Sequence, residues 1–322
     1  MLKRWKKTAH FGKIIHRVSD LNYYKGLAME HRVVNDPHVV QTKLAAVRKL
    51  GKLVGIVPTM GALHEGHLSL VQQAKHNTDF VVVTIFVNPT QFAPHEDFDK
   101  YPRTPERDLQ LLHELEVDLV FTPTNEIMYP AGHDTFVEVV ELAKRFEGVS
   151  RPAHFRGVAT VVMKLLHITM ADIAFFGQKD YQQCCVIKKM TADLNMPVKI
   201  TVCPTVREPD GLALSSRNRY LSPEERSQAL VLSRSLKLAQ ELVDDGMTDT
   251  KEICTMMREE IETSPLAQID YIAIADPATL DALATIPPAF RKAHTSVLMP
   301  RAVALLAVRL GATRLIDNTL IM

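Results

Sequence analysis

No run in the 322-residue chain approaches the ~18–20 consecutive apolar residues that a spanning helix needs, which excludes a helical membrane protein. The four cysteines, Cys184, Cys185, Cys203 and Cys254, show no CxxC spacing, so neither a disulfide framework nor a cysteine metal site is indicated. Adjacent Cys184 and Cys185 fit a helix as small core residues, and a reducing, cytoplasmic compartment is expected. Internal repeats, low-complexity tracts and Gly/Ser linkers are also missing. Large net charge is missing too: the chain carries +1 at pH 7. That figure hides an asymmetry of +6 over residues 1–35 and −5 over the rest. A mildly acidic body argues against a nucleic-acid binder, whose footprint is a basic face. The basic residues 1–35 are read as an extension, disordered or preceding a start at Met29, with mitochondrial import as the alternative. What remains is an ordinary globular composition, 46% apolar and 23% charged, long enough for two domains.

The most informative segment runs from Pro58 to His67. It follows the apolar run Leu53–Val57, read as a buried strand, and precedes Leu68–Ala74, read as a helix. A strand, a Gly-containing turn and a helix start form an anion site, because the first helical N–H groups are free to point at a ligand. His64 and His67, three residues apart, share a face of that first turn. Gly61 and Gly66 have P-loop spacing, but His67 stands where Lys is needed and no Ser or Thr follows it. A zincin needs His at i and i+4, so that geometry is lost as well. The bland alternative is a pair of polar residues capping a helix.

From residue 40 onward, strands and helices alternate. Helices are predicted over Gln41–Leu50, 66–76, 104–115, Val158–Met170 and Lys179–Leu194. Strands are predicted over 53–57, Phe80–Val87, Val117–Phe121, Asp172–Phe176 and Val198–Val202. The expected fold is α/β: a Rossmann-like, doubly wound parallel sheet over 36–205. A smaller α+β domain over 206–322 is expected to close over the site, hinged around Val206–Gly211. Its predicted elements are helices Pro223–Asp245 and Thr250–Thr263 and strands Gln268–Ala275 and Val303–Val308.

Two further clusters repeat the logic of the first. Phe176–Gln183 is again strand, Gly, helix, and Lys179 places a mobile cation at that helix start. Gly211–Asn218 offers two hydroxyls, Ser215 and Ser216, and the Arg217 guanidinium, a set suited to polyphosphate. Asn88 and Gln91 end the Phe80–Val87 run with amides, which suit an uncharged polar substrate group. A surface Lys, a polar inter-domain loop and satisfied caps are the bland counterparts.

Together with these segments, YPRT, RPAHFRGV and RLIDN complete an ordered set. The set closely resembles the pantothenate synthetase (pantoate–β-alanine ligase) family, within the HIGH-type nucleotidylyltransferase superfamily. The resemblance covers roughly residues 36–320. It implies ATP-dependent condensation of (R)-pantoate with β-alanine through a pantoyl-adenylate, giving AMP, pyrophosphate and pantothenate, a coenzyme A precursor. It further implies a homodimer. Met60, Gly61, Ala62, Leu63, His64, Glu65, Gly66 and His67 would contact ATP, with His67 in the proton-donor position. Gly177, Gln178, Lys179, Asp180, Val206, Leu214, Ser215, Ser216 and Arg217 would complete the ATP site. Gln91 would bind pantoate near β-alanine, and Gln183 would bind pantoate. Two positions depart from the family's usual pattern. Gln178 replaces Glu and is expected to change the charge near the phosphates, while Thr90 replaces Met and is expected on the pantoate side.

Such chemistry needs no general base in its first half, since a carboxylate is already ionised at pH 7. Cations must instead meet the developing charge: His64, His67, Lys179 and Arg217, with Mg²⁺ on the phosphates and no dedicated protein metal site. The Ser215–Arg217 loop is expected to close over the phosphates. Two other readings compete. A nucleotidylyltransferase acting on a phosphate would need cations where Asn88, Gln91 and Gln183 stand, and a nucleotide-binding regulatory subunit would not need both histidines and Lys179.

Overall fold

The computed structural model describes residues 32–94, 96–289 and 299–322. Residues 1–31, with the targeting and start-site readings that fall on them, lie outside the described residues. The first unit runs β1 (Val33–Val34), α1 (Pro37–Lys49), β2 (Val54–Thr59), α2 (Glu65–Asn77), β3 (Phe80–Ile85), α3 (Pro105–Glu114), β4 (Leu119–Phe121) and α4 (Asn125–Met128). It continues through α5 (Glu147–Ser150), α6 (His154–Thr169), β5 (Ile173–Gly177), α7 (Tyr181–Asp193) and β6 (Lys199–Cys203). The second holds α8 (Pro223–Gln228), α9 (Leu230–Asp244), α10 (Thr250–Glu262), β7 (Ala267–Ala275), β8 (Ala302–Leu310) and β9 (Thr313–Ile321).

Six parallel strands form one sheet in the order β1-β4-β3-β2-β5-β6. β2 and β3 are buried along nearly their whole length, as expected for strands covered on both faces. Their side chains divide with period two. Ile56 and Val82 join the core under α1, α6 and α7, whereas Val57, Val81 and Val83 join the core under α2 and α3. Local signals fix the helices. Asp36 caps α1 by accepting from the His38 N–H at 2.8 Å, with Pro37 at the first helical position.

The topology positions the site. From β2 the chain steps to β3 and β4 on one side, then crosses back to β5 and β6 on the other. β2 pairs with β3 over six residues but with β5 only at Gly55 and Ile56. Beyond Ile56 these two strands part, and a crevice opens at their carboxyl ends, the usual ligand position in such sheets. The segments after β2 and β5 are the two His- and Lys-bearing mouths.

The second unit packs α9 and α10 on an antiparallel sheet, β7-β8-β9, around its own core. Several expectations need correction. β1 lies within the segment taken as an extension, and the Arg32 guanidinium donates to the Val117 carbonyl at 2.9 Å, so the sheet unit begins before residue 36. The helix predicted over Pro223–Asp245 is two helices broken at Ala229. β9 was not foreseen. α6 starts at His154, ahead of Val158, and buried Phe155 extends its apolar face by one turn. α7 starts only at Tyr181, after a tight 3₁₀ turn over Gln178–Asp180.

Candidate active site

The first mouth is built by an aspartate. Gly61 and Ala62 both adopt the left-handed region, with φ of 80° and 49°. The buried Asp108 carboxylate, from α3, accepts from the Ala62 and Leu63 N–H groups at 2.8 and 2.9 Å and holds that turn. A Cβ on Gly61 would sit 3.0 Å from Asp108 Oδ2, so glycine is required for the close approach as well as for φ. The turn delivers His64 to the N-cap of α2 and His67 to its first turn.

Their rings lie 4.1 Å apart between centroids. The His64 N–H donates to His67 Nδ1 at 3.4 Å, and the Gly66 N–H donates to His64 Nδ1 at 3.2 Å. Both Nδ1 atoms are acceptors, so each neutral ring carries its proton on Nε2. Capping fixes the tautomer and leaves each Nε2–H as a donor. Burial holds His67 down to about 3, with His64 adding to it, and holds His64 down to about 4, with Lys179 adding to it, so both rings are neutral at pH 7, which corrects their expected role as cations.

The second mouth follows β5. Lys179 Nζ lies 3.6 Å from Asp180 Oδ1. Burial works to raise the Asp180 carboxyl, but Lys179 and Arg217 outweigh it and keep the group below its ordinary value. This turn is clamped from β9. Asn318 Nδ2 donates to the Gln178 and Lys179 carbonyls at 3.0 and 2.8 Å, while buried Asp317 takes Arg207 in a two-bond pair at 2.6 and 3.0 Å. The Gln178 Nε2 approaches Asn318 Oδ1 at 3.5 Å. A carboxylate could not donate there, so the departure at 178 serves the clamp.

The amide end lies beyond β3. Asn88 is 1% exposed, and its Nδ2 donates to Gln91 Oε1 and to the Gly157 carbonyl, both at 3.1 Å. Its Oδ1 accepts from Tyr129 and Thr90 hydroxyls at 2.8 and 3.0 Å. Asn88 thus acts through Gln91, aiming its amide. Gln91 Nε2 is left 3.0 Å from Met60 Sδ, a weak acceptor that a substrate oxygen would outcompete. Thr90 is tied into the Asn88–Tyr129 network and is not on the cavity wall, which corrects its expected place.

Sequence reasoning missed the group that fixes Gln91 from behind. The His154 Nδ1–H donates to the Gln91 carbonyl at 2.9 Å, and Arg151 Nη2 donates to the same oxygen at 3.2 Å. Arg151 is held in turn by Glu96, with two bonds of 2.6 Å. Arg151 and His154 stand in RPAHFRGV, so the motif was visible but not its geometry.

One cavity of about 970 Å³ collects these parts. Met60, His64, Gly66, His67, Asn88, Gln91, Gly177, Lys179, Asp180, Gln183, Val206, Leu214, Ser215, Ser216 and Arg217 line it, Asn88 with little of its surface exposed. Gly61, Ala62, Leu63, Glu65 and Gln178 do not. The first three are buried in the turn, Glu65 is exposed, and Gln178 faces the clamp. Arg217 lines the wall, but its guanidinium is paired with Asp97.

Burial lowers three histidines of the cavity: His67 to about 3, and His64 and His154 to about 4. In the unfolded chain each protonates near its ordinary value, about 6.5. Below that pH the unfolded state binds the extra protons, so their stabilising contribution is full above it and is lost as pH falls toward 4. The melting temperature is expected to decline steadily from pH 7 to 4.5. The decline should be shallower in His64→Gln, read by thermal denaturation across that range.

The pantoate-beta-alanine ligase family model matches residues 32–320. The pantothenate synthetase of Acetivibrio thermocellus is 48% identical over 290 residues, covering 90% of this chain and 99% of that protein. That of a Roseiflexus species is 52% identical over 287 residues, covering 89% and 98%. The crystal structure of Thermus thermophilus pantothenate synthetase matches at 44% identity and a TM-score of 0.81, covering 89% of this chain and 98% of that one. A Francisella tularensis pantoate-beta-alanine ligase complexed with beta-gamma ATP and β-alanine matches at 35% identity and a TM-score of 0.70, covering 89% and 97%. The chain therefore belongs to the pantoate–β-alanine ligase family, and joining pantoate to β-alanine is its activity.

Proposed function

We propose that the chain makes pantothenate in two steps on one cavity, with ATP as the activating substrate and a pantoyl-adenylate between the steps. The observation that carries this is the convergence of the two helix mouths and the Gln91–Gln183 wall on a single cavity. In the first step a pantoate carboxylate oxygen attacks the α-phosphorus, the bond to the bridging oxygen breaks, and pyrophosphate leaves with the electron pair. The His64 and His67 Nε2–H groups and Lys179 stabilise the charge that grows on the leaving oxygens. A neutral imidazole suits this role, because it donates without changing protonation state. In the second step the β-alanine amine, as the free base, attacks the acyl carbon, the acyl–oxygen bond breaks, AMP departs with the electron pair, and the amine proton passes to solvent. Asn88, Arg151 and His154 position Gln91 between pantoate and amine. The bound Francisella tularensis protein supports the ATP and β-alanine parts of this reading.

Mg²⁺ carried on the phosphates would add a Lewis acid. Among the described residues no three His, Cys, Asp or Glu side chains form a metal cage. An octahedral ion that keeps waters and binds phosphates needs only one or two carboxylates, and Asp180 fits that part. Closure of the Ser215–Arg217 loop and pairing of two chains belong to the same proposal, read by protease sensitivity with and without ATP and by light scattering. A transferase for phosphate acceptors fits less well, since Asn88, Gln91 and Gln183 present amides to the cavity where an acceptor phosphate would need cations.

AMP release that requires both pantoate and β-alanine, together with pyrophosphate–ATP exchange that requires pantoate alone, tests the two-step order. Exchange that also requires β-alanine would overturn it. The amide wall gives a second test. A Cβ on Gly157 would lie 2.4 Å from the Thr90 carbonyl, so Gly157→Ala forces α6 and the Gln91 turn apart. The pantoate KM is expected to rise roughly 10- to 100-fold, the effect of about 1 Å of misplacement, with the ATP KM nearly unchanged.

A further inference from the structure

The Arg217 guanidinium pairs with Asp97 through two bonds: Nε to Oδ2 at 3.0 Å and Nη2 to Oδ1 at 2.9 Å. The partners are 120 residues apart and belong to different units. One more contact joins the same segments: the Tyr220 hydroxyl donates to the Lys100 carbonyl at 3.2 Å. Both members of the ion pair line the cavity and are partly open to it, with 32% and 23% of their side chains exposed.

A guanidinium presents one rigid fork, and carboxylate and phosphate fit it in the same way. Asp97 holds the two nitrogens, Nε and Nη2, that bidentate binding of a phosphate would use. We infer that Asp97 is a specificity-determining residue that competes with the nucleotide phosphates for Arg217 and takes the guanidinium back as pyrophosphate departs. This rests on the reading that Arg217 meets the phosphates. The competition has a direction. A triphosphate brings several charges against one carboxylate and displaces it, whereas AMP brings fewer and is held less well. The same competition weakens pyrophosphate and speeds its loss.

Asp97→Asn keeps the shape and removes the charge. It is expected to lower the ATP KM and the pyrophosphate inhibition constant about 5-fold each, the worth of a half-buried charge pair, and to leave the pantoate KM unchanged. Arg217→Ala should raise the ATP KM, and in that background Asp97→Asn should have no effect on it. Asp97→Ala repeats the test should the Asn variant fail to fold, and melting temperatures report folding in each case. A residue that only positions Arg217 would behave oppositely: its loss would raise the ATP KM, and that result, or no change, overturns the inference. If instead Arg217→Ala leaves the ATP KM unchanged, the phosphate role of Arg217 fails first and the competition fails with it.

Discussion

His67→Ala is expected to cut pantoate-dependent exchange between pyrophosphate and ATP by about 10²–10³-fold, and Lys179→Ala to do the same, the usual effect of deleting one preorganised donor. The expectation follows from how each group is held. His67 Nδ1 is engaged by the His64 N–H, so the ring cannot turn its proton away from Nε2 without losing a cap of α2. Lys179 sits on a turn whose carbonyls are gripped by Asn318 from the second unit. Neither donor must reorganise as charge builds, and preorganisation is what makes such donors effective. His67→Gln retains an N–H donor and should recover part of the loss. Unchanged exchange in both alanine variants would refute the role of the mouths.

Arg314→Met should destabilise the fold by about 3–5 kcal/mol, the usual consequence of removing one partner from a buried pair. Arg314 on β9 binds Glu147 on α5 through two bonds of 2.7 and 2.8 Å and Asp270 on β7 at 2.7 Å. The Glu147 side chain is only 8% exposed, so the variant strands a carboxylate with little water to solvate it. Adding Glu147→Gln should restore most of the loss, because the one carboxylate then left without Arg314, Asp270, is 31% exposed and open to water. The contrast is Lys237–Glu241, whose side chains are 79% and 55% exposed and whose removal should cost under ~1 kcal/mol. Denaturant unfolding of the single and double variants reads both. Equal destabilisation by the single and double changes would show that lost packing, not stranded charge, is responsible.

The parallel sheet was legible because β2 and β3 are apolar nearly throughout, and the helices because their apolar faces recur every turn. The two mouths were legible because glycine, histidine and lysine stand at strand-to-helix junctions, where the chemistry is local. What was hidden is long-range. Asp108 lies on α3, where an acidic residue reads as a solvated charge, yet its partners are 46 and 45 residues away. Glu96 and Asp97 reach Arg151 and Arg217 over 55 and 120 residues, and no spacing rule connects such pairs. β9 escaped because Asp317 and Asn318 are both buried, so two polar residues interrupt the expected alternation. They are polar because they clamp Arg207 and the Lys179 turn. The strand was unreadable for the same reason that it serves the site. β1 is two residues long and carries no period at all.

The most direct measurement is a crystal structure of this chain soaked with a non-hydrolysable ATP analogue and pantoate. The α-phosphate should lie within hydrogen-bonding reach of His67 Nε2 and Lys179 Nζ, with a pantoate carboxylate oxygen facing it from the Gln91 side. A triphosphate seated away from both helix mouths would contradict the account at its centre.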